Sequence, residues 1–219
     1  MADTTGADTD GLPVVVIGAG PVGLAAAAHL AERGLTPLVL EAGPVVGAAI
    51  REWGHTRLFS PWRYNVDAAA ARLLETRGWT APDPEALPTG AELVEQYLQP
   101  LAATEALAPR IRTGARVVAV SRAGMDKTRA TGRAQTPFLV RVAHADGAVE
   151  DVHARAVIDA SGTWTTPNPL GQAGLPAPGE AEALAAGQIT APLPDVLGAD
   201  QARFAGQHVL VVGAGHSAA

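Results

Sequence analysis

A glycine-rich turn between a short apolar strand and an alanine-rich helix constrains the fold of this chain more than any other feature. Leu12 to Ile17 is an apolar, largely β-branched run, typical of a buried parallel strand. It leads into the motif Gly18-Ala19-Gly20-Pro21-Val22-Gly23, and the helical pattern of Pro21 to Arg33 follows and ends before a glycine. Pro37 to Leu40 is a second apolar strand with Glu41 at its end. Together these segments predict a βαβ unit of about 30 residues, and with it a parallel sheet.

Each glycine of this motif has its own role in holding a diphosphate. Gly18 permits the tight turn out of the strand, Gly20 lets the diphosphate approach the backbone, and Gly23 lets the helix pack closely on the sheet. The helix N-terminus offers free amides and a partial positive charge to the phosphates. An acidic residue about 20 residues further on can accept hydrogen bonds from a ribose diol. The pattern therefore predicts a dinucleotide site formed by Gly18, Gly20, Pro21, Gly23, Glu41 and the adjoining Ala42, with a glycine-rich turn that binds no ligand as the alternative.

The next part of the chain predicts a loop followed by a helical insert. Residues 43–65 have no clean period and indicate an ordered loop, and Val66 to Thr76 has a helical pattern. Gly78 to Pro88 is proline-rich and turn-like. Thr89-Gly90-Ala91-Glu92 predicts a capping box that begins another helix, which Pro100 should kink or break.

An antiparallel meander and a further parallel strand are predicted next. Arg116 to Ser121, Pro137 to Ala143 and Ala148 to Ala154 have strand patterns separated by turn signals. Ala156 to Asp159 is another apolar strand, and it runs into Ala160-Ser161-Gly162.

The end of the sequence predicts the beginning of a second βαβ unit. Thr165 to Gly206 indicates a connecting stretch with a helix at Glu180 to Ala186. His208 to Val212 predicts a buried strand, followed by Gly213-Ala214-Gly215-His216-Ser217-Ala218. Because only the first residues of a crossover helix follow, we expect the sequence to be an N-terminal fragment of a longer protein.

Composition excludes several classes of function. The sequence contains no cysteine, so it offers no disulfide framework, thiolate metal site or catalytic thiol. The net charge of −6 disfavours a nucleic-acid partner. No apolar run is long enough to span a bilayer, and the polar, acidic residues 1–11 predict a disordered tail and not a signal peptide. A cytoplasmic location is the default expectation.

The three glycine-containing motifs resemble, in kind and order, those of the two-dinucleotide flavoproteins, the superfamily of glutathione reductase and the flavin-containing monooxygenases. In that superfamily the first loop binds FAD, a strand ending in an Ala-Thr-Gly-like motif closes the FAD half, and a second loop binds NADPH. Ala160-Ser161-Gly162 is similar to the middle motif with Ser in place of Thr. Gly213-x-Gly215-x-Ser217-Ala218 is similar to the second loop with Ala at its third position.

This resemblance implies an α/β, Rossmann-like fold with a parallel sheet, helices and an antiparallel β-meander, followed by the start of a second Rossmann unit. The implied cofactors are FAD and NADP (or NAD). The implied domains are a tail at residues 1–11, an FAD-binding domain at 12–166, a connecting segment at 167–206 and a truncated NAD(P)-binding domain at 207–219. The further cofactor contacts that it implies come from the backbone of Val117 and from Ala160, Gly162, Gly213, Gly215 and Ser217.

The branch of the superfamily is indicated by the region after Glu41. Disulfide reductases resembling glutathione reductase carry a redox cysteine pair there, and this chain has none. Residues 46–53 are more similar to the Gly-Gly-x-Trp region of the flavin monooxygenases, although the spacing differs, which places Arg51 and Trp53 near the cofactor. The segment Phe204 to His208 departs from the monooxygenase fingerprint, because its histidine follows the glycine too closely.

An aromatic loop, Trp53 to Tyr64, has two interpretations that the sequence leaves open. Its side chains could surround the flavin ring, with Arg51, Arg57 or Arg63 near the cofactor, or they could anchor a long loop in the core.

The resemblance implies an FAD-dependent, NAD(P)H-using, monooxygenase-like oxidoreductase. A hydride would pass from NAD(P)H to the flavin, and electrons would then pass to oxygen or another small-molecule acceptor. The sequence identifies no acid–base residue and no metal ligands, and it leaves the oligomeric state unknown. An FAD-binding module without turnover and a dehydrogenase with two NAD-binding units are the alternatives.

Overall fold

A four-stranded parallel sheet lies at the centre of the computed structural model, which describes residues 9–190, 192–213 and 215. Its strands are β1 (Val14–Ile17), β2 (Pro37–Leu40), β3 (Ile111–Arg112) and β7 (Ala156–Asp159), in the order β3-β2-β1-β7. Every neighbouring pair is parallel. β1 therefore has a hydrogen-bonded partner on each side, which suits its continuous apolar sequence.

The two faces of this sheet are covered by different structures. Successive strand side chains point to opposite faces, so Val15 and Val16 of β1 belong to two separate cores. On the Val16 side lies α1 (Pro21–Glu32), which packs through Gly23, Leu24, Ala27 and Ala28. On the Val15 side lies a three-stranded antiparallel meander.

The meander consists of β4 (Ala115–Arg122), β5 (Phe138–His144) and β6 (Val149–Ala154). Its inward side chains alternate with exposed ones along β5, as expected for a sheet with one solvated face. The predicted α/β, Rossmann-like class with a parallel sheet and an antiparallel meander is confirmed.

The helical insert between β2 and β3 is built from short helices. They are α2 (Ala48–Glu52), α3 (Trp62–Asn65), α4 (Ala68–Glu75), α5 (Gly90–Leu93) and α6 (Gln99–Ala102). The expectation of an ordered loop over residues 43–65 is thus wrong in part, since α2 and α3 lie within it. Both are too short to give a readable helical period.

The helix that begins at the predicted capping box continues past Pro100. Thr89 and Glu92 cap each other's backbone amides as expected. Residues 94–98 form a π-helical turn that leads directly into α6, so of the predicted kink or break the break does not occur, and the helix is distorted instead. Pro100 has no amide to donate to the Gln96 carbonyl, four residues earlier, and Trp79 Nε1 donates to that carbonyl instead, at 2.8 Å.

The connecting segment contains α7 (Glu180–Ala185), close to the predicted helix, and α8 (Gln201–Phe204). The carboxylate of Glu180 accepts hydrogen bonds from the amides of Leu170 and Ala177, which fixes the turn before α7. The predicted buried strand at His208 to Val212 is wrong for this structure, because these residues are irregular and exposed. No strand among the described residues pairs with them, and a parallel strand is stable only with a neighbour. Within the described ranges, no helix is long and apolar enough to cross a membrane.

Candidate functional site

The turn after β1 is held between the ends of the two neighbouring strands. Gly18 has a φ of +97°, which favours glycine, and its amide donates to the Leu40 carbonyl at the end of β2, at 2.8 Å. A Cβ on Gly18 would lie 2.6 Å from the carbonyl oxygen of Ala160, just after β7. The glycine is therefore required by the close approach of the segment that follows β7.

The other two glycines of the motif differ in what surrounds them. A Cβ on Gly23 would lie 2.0 Å from the carbonyl oxygen of Gly18, so this glycine lets α1 pack against the turn. A Cβ on Gly20 would meet nothing within 4 Å. The protein itself therefore does not require a glycine at position 20. The open space lies at the N-terminus of α1, where Pro21 occupies the first helical position.

Glu41 connects the turn to the end of β2. Its Oε2 accepts a hydrogen bond from the Ala19 amide, and its Oε1 accepts one from the Gly43 amide, both at 2.7 Å. Sequence analysis predicted the position of Glu41 but not these two bonds. A carboxylate has about four lone-pair sites, so this arrangement leaves acceptor capacity for the hydroxyl groups of a ligand. Ala42, between these residues, is exposed.

The chain leading into β4 runs beside Glu41. The Ala115 amide donates to the Glu41 carbonyl and the Gly114 amide donates to the Gly43 carbonyl, each at 2.8 Å. Val117 lies two residues further along β4, pairs with Val142 and packs on the core beneath the meander. The structure therefore brings the backbone before Val117, but not its side chain, to the Glu41 end of the site.

The end of β7 forms the opposite border of the turn. Ala160 donates its amide to the Ile17 carbonyl at 2.9 Å, which extends the pairing of β7 with β1. Asp159 Oδ1 accepts hydrogen bonds from the Ser161 hydroxyl at 2.7 Å and from its amide at 3.1 Å. These bonds lower the pKa of the Asp159 carboxyl below its ordinary value. Gly162 follows with a φ of +70° and open space where a Cβ would lie.

The segment just before α2 also contacts the turn after β1. The Gly47 amide donates to the Ala19 carbonyl at 3.1 Å, and α2 begins immediately after Gly47. Arg51 is exposed near the end of α2, and Trp53 lies at its C-cap. The rings of Trp53 and Trp164 are 6.4 Å apart at an interplanar angle of 56°.

Part of the aromatic loop anchors the chain, whereas Phe59 and Tyr64 are 70% and 72% exposed. Trp62 is 4% exposed and belongs to the helical core. Arg57 donates to the Leu87 carbonyl, and Arg63 forms an ion pair with Glu85. These two arginines therefore contact the proline-rich segment and not the turn after β1.

The two described glycines of the second motif have no comparable surroundings. Gly213 and Gly215 are exposed, and a Cβ on either would meet nothing within 4 Å. Ser217 lies outside the described residues.

Three contributions to the site were missed in the sequence. They are the Ala19 amide as a donor to Glu41, the Glu52 carboxylate that binds Trp164, and the turn between Asp159 and Ser161. Only the last has a local signal, an aspartate two residues before a serine at a strand end. Among the described residues, no cluster of histidine and acidic side chains could hold a metal ion.

Comparison with known proteins identifies the family of this chain. The pyridine nucleotide-disulphide oxidoreductase family model matches residues 15–219. No curated protein matches the sequence.

Similar solved structures include both a reductase and monooxygenases. A bacillithiol disulfide reductase from Bacillus cereus is 25% identical, with a TM-score of 0.54, over 74% of this chain and 42% of that one. A flavin-containing monooxygenase from Stenotrophomonas maltophilia is 30% identical, with a TM-score of 0.50, over 71% of this chain and 41% of that one. An oxidized steroid monooxygenase bound to NADP is 26% identical, with a TM-score of 0.50, over 69% of this chain and 26% of that one.

The chain thus spans less than half the length of these proteins. FAD and NADP, the cofactors predicted from the sequence, both occur in solved complexes that share its fold. Because this family model matches residues 15–219, nearly the whole chain, the chain belongs to the pyridine nucleotide-disulphide oxidoreductase family.

Proposed function

We propose that this chain binds FAD at the turn after β1 and that it belongs to an NAD(P)H-using, monooxygenase-like oxidoreductase. The observation that carries the proposal is the contrast among the three glycines of the motif. Gly18 and Gly23 are required by contacts within the protein, whereas Gly20 faces open space at the N-terminus of α1. A glycine that packing does not require is explained by the close approach of a diphosphate.

The remaining groups of the site suit the other parts of the cofactor. The amides at the start of α1 have no partners within the helix and would donate to the diphosphate. The Glu41 carboxylate would accept from the adenosine ribose, and the backbone leading to Val117 would border the adenine. Ala160 and Gly162 would line the flavin half, with Arg51 and Trp53 approaching it from α2.

When bound, FAD supplies the redox chemistry, since it accepts a hydride from a reduced nicotinamide and passes electrons to oxygen or another small-molecule acceptor. The chain's own residues orient the cofactor and shield one side of it. The sequence holds no cysteine, so no residue of this chain can perform thiol–disulfide exchange. The missing cysteine pair after Glu41 favours a monooxygenase-like role over one resembling glutathione reductase, and two of the similar structures are named as monooxygenases.

The predicted NADP contacts of Gly213, Gly215 and Ser217, and the domain boundaries at residues 12, 167 and 207, remain part of the proposal. A second candidate function is an FAD-binding module that has no turnover by itself. The irregular, exposed segment before Gly213 favours it, because a nicotinamide nucleotide needs an assembled second turn.

The visible absorption of the purified chain tests both candidates. We expect the bands of oxidised flavin to co-elute with the protein, and to be lost in a Gly20→Val variant that folds normally. A Gly11→Val variant is the control, because Gly11 also has open space around it but lies outside the motif. A colourless protein that also fails to bind added FAD would contradict the proposal.

Addition of NADPH without oxygen separates the two candidates. Bleaching of the flavin bands would support turnover by this chain. Persistent bands would favour the binding module.

A further inference from the structure

Two segments that contact the turn after β1 each lead to a tryptophan, and these two tryptophans lie side by side. One segment begins where the Gly47 amide binds the Ala19 carbonyl, and it reaches Trp53 through α2. The other begins where Ala160 contacts Gly18, and it reaches Trp164. The tryptophan pair is therefore tied from both sides to the proposed diphosphate site.

Both indole rings of the pair are held in place. A Cβ on Gly90 would lie 2.8 Å from the six-membered ring of Trp53, so that ring rests against the first turn of α5. Trp164 Nε1 donates a hydrogen bond to Glu52 Oε2 at 2.7 Å. A centroid separation of 6.4 Å and a tilt of 56° are within the favourable range for two aromatic rings. The geometry is thus fixed by the backbone at Gly90 and by the Glu52 carboxylate.

The order of the strands indicates which half of a dinucleotide would reach this pair. β1 lies between β2 and β7 in the sheet, and the diphosphate would lie over the end of β1. If the adenosine ribose binds Glu41 at the end of β2, the other nucleotide must extend towards the end of β7. That end leads through Ala160 and Gly162 to Trp164.

We propose that Trp53 and Trp164 form an aromatic wall beside the flavin ring, and that Glu52 is a positioning residue that sets the orientation of the Trp164 indole. This inference rests on the proposed function, because it requires FAD at the turn. Glu52 acts through Trp164 and does not itself touch the cofactor. Its negative charge strengthens the hydrogen bond to the indole, compared with a neutral acceptor.

The fluorescence of bound flavin reports directly on this arrangement. An indole in contact with an excited flavin donates an electron to it, and the electron returns without emission of light. Loss or rotation of the Trp164 ring would therefore brighten bound FAD. The affinity for FAD would change little, because the diphosphate and ribose contacts would remain.

Three variants of the full chain, each saturated with FAD, test the proposal. In Trp164→Phe, an apolar ring remains but one of the two quenching indoles is lost, while Trp53 is kept. In Glu52→Leu, the acceptor for Trp164 Nε1 is lost, and in Glu52→Gln a neutral acceptor is kept. Glu75→Leu is the matched control, since Glu75 is also an exposed glutamate near the end of a short helix, away from the pair.

We expect the emission of bound FAD to rise only in part in Trp164→Phe and Glu52→Leu, because Trp53 remains as a second quencher, and to stay near the wild-type level in Glu52→Gln and Glu75→Leu. The dissociation constant for FAD should remain within about threefold of the wild-type value throughout. Rescue by glutamine would distinguish a hydrogen-bonding role from a merely structural one.

Two results would overturn the inference, and they differ in what they mean for the proposed function. If FAD binds and its emission is the same in all four variants, the Trp164 indole is not held beside the flavin by Glu52 and the inference alone fails. If the wild-type chain does not bind FAD, the proposed function fails, and the inference with it.

Discussion

The two glycine motifs of this chain have similar sequences and very different surroundings. The strand before the first motif contains Val14, Val15 and Val16, which are 0–4% exposed, whereas Val209 to Val212 before the second motif are 55–86% exposed. The first strand is paired on both sides, and the second segment has no partner among the described residues. Neighbouring strands and a following helix therefore hold the first glycine pattern in the shape that the proposed nucleotide site requires.

The first motif depends on contacts from distant parts of the chain. Leu40 accepts a hydrogen bond from the Gly18 amide, Glu41 accepts one from the Ala19 amide, and Ala160 packs on Gly18. Among the described residues, the second motif receives none of these contacts. Substitutions in the first motif should therefore alter stability or binding, and equivalent substitutions in the second should have little effect in this chain.

The largest effect on stability is expected for Gly23→Ala. The new Cβ would lie 2.0 Å from a backbone oxygen that cannot rotate away, and overpacking of this kind costs about 1–3 kcal/mol. We expect the free energy of unfolding, measured by urea denaturation, to fall by about 3 kcal/mol. In Gly215→Ala, where the Cβ meets nothing, the change should stay within about 0.5 kcal/mol. Equal losses in the two variants would remove the distinction between the motifs.

A smaller loss of stability is expected for Glu41→Gln. A glutamine keeps one acceptor oxygen but turns an amino group towards the second backbone amide, so one of the two bonds is lost. We expect the free energy of unfolding to fall by about 1–2 kcal/mol. Glu105→Gln, at an exposed position, is the control and should be neutral. An unchanged stability in Glu41→Gln would mean that Glu41 does not support the turn before a ligand binds.

The smallest effect on stability is expected at the contact that supports α1, the helix after the first motif. Among the described residues, no such helix follows the second motif. Asp67 caps α4 and pairs with His29 of α1 at 3.0 Å. Partial burial of Asp67 opposes its ionisation, but hydrogen bonds from Ala70 and His29 outweigh this, and the pKa of its carboxyl is lowered. A lowered pKa stabilises the fold above the unfolded-state pKa, and this stability is lost as the pH falls through the folded-state pKa.

Asp67→Asn should remove this titration while it keeps a side chain that can cap α4. At neutral pH, we expect the variant to be less stable than wild type by about 1 kcal/mol, and the difference should shrink below about pH 4. Urea denaturation across this pH range measures it. Parallel pH profiles for the two proteins would show that the His29–Asp67 pair does not couple α1 to α4.

The sequence predicted the local parts of the first site because each has a short-range cause. The βαβ unit, the position of Glu41 and the capping box at Thr89 follow from apolar runs, strand ends and the spacing of a hydroxyl and a carboxylate. The approach of Ala160 to Gly18 could not be predicted, because nothing local specifies which distant backbone fills the space beside a glycine. β3 was missed because two residues carry no alternating pattern.

The prediction at His208 to Val212 failed for the converse reason. Its apolar residues indicate that burial would be favourable, but a sequence pattern does not supply the neighbour that buries it. The bond between Trp164 and Glu52 was equally invisible, because it joins residues from two separate segments.

The affinity for FAD of Gly20→Val, measured beside that of Gly215→Val, tests the central claim most directly. Both glycines have open space around them, so both variants should fold like wild type. The account predicts that FAD binding, followed by isothermal titration calorimetry, weakens at least about tenfold in Gly20→Val and is unchanged in Gly215→Val. Wild-type affinity in a folded Gly20→Val variant would contradict it.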